Sequence, residues 1–191
     1  MSHNSATGYL NTKGINNKTD GQKIGMKSTV TNRLLSLYGK TQVGTAYDQL
    51  NNGARALDLR PKLYVNGTIG FHHGDLIDIP LSSIDLAGFI ANVKAWCRDN
   101  PSELVLIFHS ELLHESGYGS MASTIYSESD GVYYYNGIAA LKEVYEAQSV
   151  PYYSCEELSG LIVADAMDMA DLSKFGGEGY LLAVDRHDMC E

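Results

Sequence analysis

The sequence predicts an α/β fold on a parallel sheet, closed into a barrel rather than left open. Three observations predict it. Apolar runs of strand length alternate with stretches of helical period. The runs are continuous, as in Leu104-Val105-Leu106-Ile107-Phe108, which marks strands buried on both faces of a parallel sheet. Nearly every run ends in polar groups: Asp58 and Arg60, His73, His109 and Glu111, Asp165, then Asp185 and Arg186. In parallel α/β folds the chemistry sits outside the carboxyl ends of the strands. An open doubly wound sheet and a closed barrel both meet that condition. Neither GxGxxG nor a GxxxxGK phosphate loop occurs in the chain, so a nucleotide-binding open sheet loses ground and the barrel gains.

The elements follow in order. Residues 1–31 are polar and rich in Gly, Asn, Lys and Thr, and read as loop. Residues 46–52 form a short helix closed by Gly53. Residues 54–60 make a strand stopped by Pro61. Asn66-Gly67 is a hairpin turn leading into Ile69-Gly70-Phe71-His72-His73-Gly74. The clearest helix spans 83–98: Ile84, Leu86, Phe89, Ile90, Val93 and Trp96 recur at helical spacing. Ser82 with Asp85 fits a capping box at its start, and Asn100-Pro101 ends it. The run 104–108 is a strand, and 112–135 a Gly/Ser/Tyr-rich loop. A second helix, 137–148, carries Ile138, Leu141, Val144 and Tyr145 on one face. Residues 161–164 and 180–184 are two more buried-type strands. No repeat, linker or low-complexity block divides the chain, so residues 1–191 read as one domain.

Composition bounds the function. The chain has 191 residues, 44% hydrophobic and 19% charged, enough for one core and too apolar for a disordered tail. With 14 Lys+Arg against 23 Asp+Glu, the net charge is -9, which disfavours nucleic acid and strongly anionic lipid as partners. Cys97, Cys155 and Cys190 form no CxxC pair and suit neither a zinc site nor a disulfide scaffold. No run approaches 18 consecutive apolar residues, so no membrane-spanning segment is expected, and the polar opening Met-Ser-His-Asn shows no signal-peptide pattern.

The chemistry concentrates in His3, Asp58, Arg60 and His73. Side chains alternate along a strand, so Asp58 and Arg60 point to one side. His73 follows Arg60 by 13 residues, a hairpin's return to a neighbouring position. Two imidazoles and a guanidinium suit phosphodiester cleavage. One imidazole removes a proton from the attacking hydroxyl and the other protonates the leaving oxygen. The guanidinium holds the phosphoryl oxygens. Two plainer readings stand beside this one: a single histidine is usually a surface or hydrogen-bonded residue, as His114 and His187 are read, and Asp-x-Arg is often a plain ion pair.

Several segments resemble a known family. They are Ser2-His3-Asn4-Ser5, Thr41-Gln42, Gln49-Leu50, Gly53-Ala54-Arg55-Ala56-Leu57-Asp58-Leu59-Arg60, His72-His73-Gly74, Asn100-Pro101-Ser102-Glu103-Leu104-Val105-Leu106 and, more weakly, Ser159-Gly160-Leu161-Ile162-Val163. Together they resemble the X-type catalytic domain of phosphatidylinositol-specific phospholipases C, nearest the bacterial-type branch. The resemblance implies an irregular (β/α) barrel of the TIM type with its site at the top. It implies His3 as the general base that activates the inositol 2-hydroxyl, and His73 as the general acid on the diacylglycerol oxygen. Arg60 would contact the phosphate, and Asp58 would support a histidine or the reacting phosphate. Asn4, Ser110 and Asp165 are candidates for holding the substrate. The substrate would be an inositol phospholipid, or its glycosylated anchor form, at a membrane surface, and the first product a cyclic inositol phosphate.

The resemblance also bears on metal. Calcium-dependent members have Asn directly after the first histidine, as Asn4 is here, but carry an acidic residue where this chain has Arg60. A fixed guanidinium takes the place and charge of a cation, so no cofactor is expected; Asn4, Asp58 and Glu111 are the ligands if calcium binds. A complete barrel needs about 250 residues. Strands are expected near 54–60, 69–73, 104–109, 161–165 and 180–185, with one just before His3, so the chain reads as shortened at both ends relative to the family. The acidic partner of the first histidine is then expected from the missing C-terminal part. Tyr118, Tyr126, Tyr133, Tyr134, Tyr135, Tyr152 and Tyr153 suit either loop packing or a membrane interface. Two rival functions remain: a catalytically silent lipid-headgroup-binding module, and a metal-dependent glycerophosphodiester or sphingomyelin phosphodiesterase.

Overall fold

The computed structural model describes residues 1–9, 40–64, 66–73, 79–81, 84–110, 112–114 and 137–185. The fold is mixed α/β around a parallel sheet. Four strands, β1 (Ala56–Leu59), β5 (Leu104–His109), β7 (Tyr152–Ser154) and β8 (Tyr180–Asp185), pair in the order β1-β5-β8-β7, all parallel. The strand expected ahead of His3 is a single bridge: Ser2 pairs with Leu57 in parallel, through Ser2 N–H to Ala56 O at 2.7 Å and Asp58 N–H to Ser2 O at 2.9 Å.

A second sheet is ordered β4-β3-β2-β6, from β2 (Pro61–Leu63), β3 (Ile69–His73), β4 (Ile79–Leu81) and β6 (Leu113–His114). Pro61 does not stop the chain as expected. It opens β2, the strand position where its missing N–H costs least. β1 and β2 are thus one extended run bent at Arg60. β1 pairs with β5 in one sheet and β2 with β6 in the other, both in parallel. The turn at Asn66-Gly67 closes the β2–β3 hairpin, with Gly67 at φ 81.

Three helices carry the main core among the described residues. Helix α1 (Ala46–Asn51) starts at a Thr45–Asp48 capping box. Helix α2 (Leu86–Asp99) has Asp85 as its N-cap, its carboxylate accepting from Gly88 N–H; the start is thus three residues later than the Ser82 box predicts. Its face of Leu86, Phe89, Ile90, Val93 and Trp96 packs with Leu141 and Tyr145 of α3 (Gly137–Ala147). Both lie on the sheet face formed by Leu57, Leu59, Val105, Ile107, Leu181 and Ala183. The opposite face is different. Leu104, Leu106 and Phe108 are only half-buried there, so β5 alternates instead of being buried on both sides. They line a cavity of about 540 Å³ with Leu158, Leu182 and Val184.

One expectation fails on that face. Residues 161–164 are not a strand: Val163–Ala170 is a helix, α5, after the short α4 (Cys155–Leu158). Leu161, Ile162 and Val163 are 37%, 65% and 70% exposed. The apolar run is the beginning of a helical pattern, Val163, Ala166, Met167, Ala170, and the place beside β5 is taken by β8. The chain runs from β5 out to β7 and returns inward to β8, whereas consecutive barrel strands would be neighbours. Among the described residues no barrel closes. Cys97 is free and buried in the core, its thiol pushed up to about 12 by that burial, whereas Cys155 is disulfide-bonded.

Candidate active site

The site is built at the carboxyl ends of β1 and β5. After its bridge to Leu57, the chain turns through Asn4, whose φ of 53 lies in the left-handed region, and enters a 3-10 turn, Ser5–Tyr9. Asn tolerates that conformation better than most residues. The turn is clamped from outside. Thr7 Oγ1 accepts from Thr41 N–H and Gln42 N–H at 3.1 Å each, and Gln42 Nε2 donates to His3 O at 2.7 Å. Gln49 Nε2 donates to Ser5 O and Gly44 O, at 2.9 and 3.1 Å. The Thr41-Gln42 and Gln49 motifs thus hold the loop that presents His3. Gly8 lets the turn approach Gly44: a Cβ there would stand 1.6 Å from Gly44 O. Gly8→Ala is expected to lower stability by roughly 1–3 kcal/mol, read from urea unfolding, and an unchanged midpoint would refute the clamp.

Asp58 is the hub. Its side chain is 4% exposed, and Oδ2 meets His3 Nδ1 at 2.9 Å. Asn4 N–H donates to the same oxygen at 3.2 Å, and Ser110 Oγ donates to Oδ1 at 2.6 Å. With its Nδ1 proton directed at Asp58, the His3 ring keeps Nε2 as the basic nitrogen. That ring is 59% exposed, so Nε2 is reachable. The acidic partner expected from outside the chain is therefore present within it. Asn4 itself is fully buried, and neither atom of its side-chain amide has a hydrogen-bond partner among the described residues.

Arg60 follows Asp58 at the bend between β1 and β2, half-buried. Its carbonyl accepts from His72 N–H at 3.0 Å. That pairing sets His72, buried, beside Arg60 on one face of the ladder. His73 lies one position further, half-buried at the last residue of β3, on the other face. The structure thus gathers His3, Asn4, Asp58 and Ser110 by direct contact, with Arg60 next on the strand and His72 beside it, whereas His73 lies on the other face of the ladder.

The other candidates fall elsewhere. Asp165 lies exposed in the first turn of α5, not at a strand end. Glu111 lies outside the described residues, as do Arg186, His187 and the tyrosines at 118–135. Tyr152 stacks on Tyr145, 5.3 Å between ring centroids, so it belongs to the packing. Among the described residues no group of three or more His, Cys, Asp or Glu side chains gathers as a cation site, and no helix is long and apolar enough to cross a membrane.

His109, at a strand end, turns away from the site into the helix side of the sheet. Its Nδ1–H donates to Val184 O at 3.1 Å, which fixes the tautomer, and its Nε2 accepts from Tyr145 Oη at 2.7 Å. Burial lowers its pKa to about 4, and the hydrogen bond to Val184 and the nearby Asp58 charge only partly counter this. Burial likewise pushes the Tyr145 hydroxyl well above its ordinary value. Sequence reasoning missed this pair; an unbroken apolar strand ending in His is its one visible trace. It also passed over Arg55, whose Nε meets Glu103 at 2.8 Å and whose guanidinium lies 4.6 Å from the Trp96 ring centroid. That contact ties the starts of β1 and β5 together.

No protein-family model matches the sequence. Solved structures do. The chain is similar to a point mutant of the phosphatidylinositol-specific phospholipase C of Staphylococcus aureus, with a TM-score of 0.52 and 15% identity, over 96% of this chain and 46% of that one. It is similar also to a structure of the same S. aureus enzyme concerned with modulation of its membrane binding, at a TM-score of 0.50 and 16% identity, with the same coverage of both chains. The likeness is one of fold. The chain spans less than half the length of each.

Proposed function

We propose that this chain carries the catalytic half of a phosphodiesterase of the phosphatidylinositol-specific phospholipase C kind. The observation that carries the reading is the His3 Nδ1–Asp58 Oδ2 contact of 2.9 Å at the carboxyl end of a parallel strand, with Arg60 two residues on. In this reading His3 Nε2 takes the proton of the inositol 2-hydroxyl as that oxygen bonds to phosphorus. Arg60 neutralises the charge growing on the phosphoryl oxygens. The bond from phosphorus to the diacylglycerol oxygen breaks, and a histidine of the His72-His73 pair returns a proton to the leaving oxygen. The resemblance assigns that task to His73. The products are a cyclic inositol phosphate and diacylglycerol.

No metal takes part in this scheme. Both oxygens of Asp58 already receive protein donors, three in all, and a calcium ion would have to displace them. Calcium also wants six to eight oxygen ligands.

The test is a product assay on phosphatidylinositol vesicles with and without EDTA. Cyclic inositol phosphate is expected in both arms. His3→Ala and His73→Ala should each lose at least 10²-fold in turnover, while His72→Ala should chiefly lower stability. Binding without turnover, unchanged in His3→Ala, would select a silent headgroup-binding module instead. Loss of activity in EDTA would overturn the metal-free scheme.

A further inference from the structure

We infer that Ser110 is a positioning residue for the His3 base, acting through Asp58 rather than on the substrate. The inference rests on the reading of His3 as the base. A carboxylate turns about its last torsion with little preference, so one hydrogen-bonded oxygen leaves the other free to swing. Asp58 is held at both. Asn4 N–H anchors Oδ2, and Ser110 Oγ anchors Oδ1 at 2.6 Å. With Oδ1 fixed, Oδ2 is fixed too, on the side of His3 Nδ1.

Ser110 is itself held from two directions. Its N–H donates to Leu59 O at 2.8 Å, extending the β1–β5 ladder by one residue. The residue before it, His109, is locked on the far side of the strand by Val184 O and Tyr145 Oη. A continuous line of contacts therefore runs from α3 through β5 to β1 and ends on the exposed imidazole. The serine hydroxyl has one proton, and that proton faces Asp58. This leaves Ser110 with no donor to offer a phosphate.

Three replacements separate the hydroxyl from the shape. Ser110→Thr keeps the donor, Ser110→Val has the shape of Thr without it, and Ser110→Ala removes both. Turnover on phosphatidylinositol should fall roughly tenfold in the Val and Ala variants, with KM unchanged, and Thr should stay within about twofold of the parent. Independently of activity, long-range ¹H–¹⁵N spectra of the neutral His3 ring should show the Nδ1–H tautomer alone in the parent and in Ser110→Thr. They should show a mixture of tautomers in Ser110→Val. Val and Thr variants that match in both turnover and tautomer would overturn the inference. A raised KM with unchanged kcat would overturn it as well, since that marks a substrate contact. If the parent cleaves no inositol lipid, the catalytic reading falls, and the tautomer comparison still decides whether Ser110 sets the His3 ring.

Discussion

Asp58→Asn is expected to lower turnover roughly 10³–10⁴-fold with the chain still folded, by the same logic as an asparagine behind a catalytic histidine elsewhere. The reason is a count of donors. Asp58 receives the Ser110 hydroxyl, the Asn4 N–H and the His3 Nδ1 proton. Asparagine offers one acceptor oxygen and an NH₂ group. On one side the NH₂ meets the Asn4 N–H and the His3 ring, on the other a hydroxyl that can accept as well as donate. If it faces His3, the ring must move its proton to Nε2, and the base is lost at the atom where it is needed. If it faces Ser110, the hydroxyl turns to accept from it and the carboxamide stays in place, but the charge that supports the imidazolium is gone. The buried mismatch against the Asn4 N–H costs about 1–3 kcal/mol of stability in the first case only. Turnover and the thermal midpoint, measured on one preparation, separate the two effects. A variant within tenfold of the parent would mean that Asp58 does not hold the base.

Acid is expected to unfold the chain through His109. The imidazole titrates near its ordinary 6.5 in the unfolded chain but at about 4 in the fold. Below pH 6.5 the unfolded chain therefore binds a proton that the folded chain refuses. Stability falls as pH drops through that window and levels off near pH 4. The gap between the two values corresponds to roughly 3 kcal/mol, a large share of the 5–15 kcal/mol of an ordinary domain. Urea unfolding at pH 7, 5.5 and 4.5, in the parent and in His109→Gln, measures it. The parent should lose the more stability between pH 7 and 4.5, by about 2–3 kcal/mol. Equal losses in the two proteins would show that His109 does not govern acid sensitivity.

What the sequence made legible, and what it hid, divides along physical lines. Helix α2 was readable because Leu86, Phe89, Ile90, Val93 and Trp96 repeat at 3.6 residues, and β1, β3, β5 and β8 because each is a short apolar run with a stop signal. Asp58 and Arg60 were readable because strand alternation is local. Leu161-Ile162-Val163-Ala164 misled because four apolar residues carry no period, and only the spacing through Ala170 reveals the helix. Strands β2 and β7 were hidden for another reason: three residues each, they exist because a neighbouring strand offers a ladder. The Asp58–Ser110 and His109–Tyr145 contacts join residues 52 and 36 positions apart, and nothing local announces them.

The bend at Arg60 has a geometric consequence. His3 and its carboxylate ride on the parallel sheet, whereas the histidine pair rides on the hairpin sheet, and Arg60 is the residue that joins β1 to β2. In the proposed function the two proton-transferring histidines therefore stand on different sheets, and their separation follows from how the sheets join and not from register within either one.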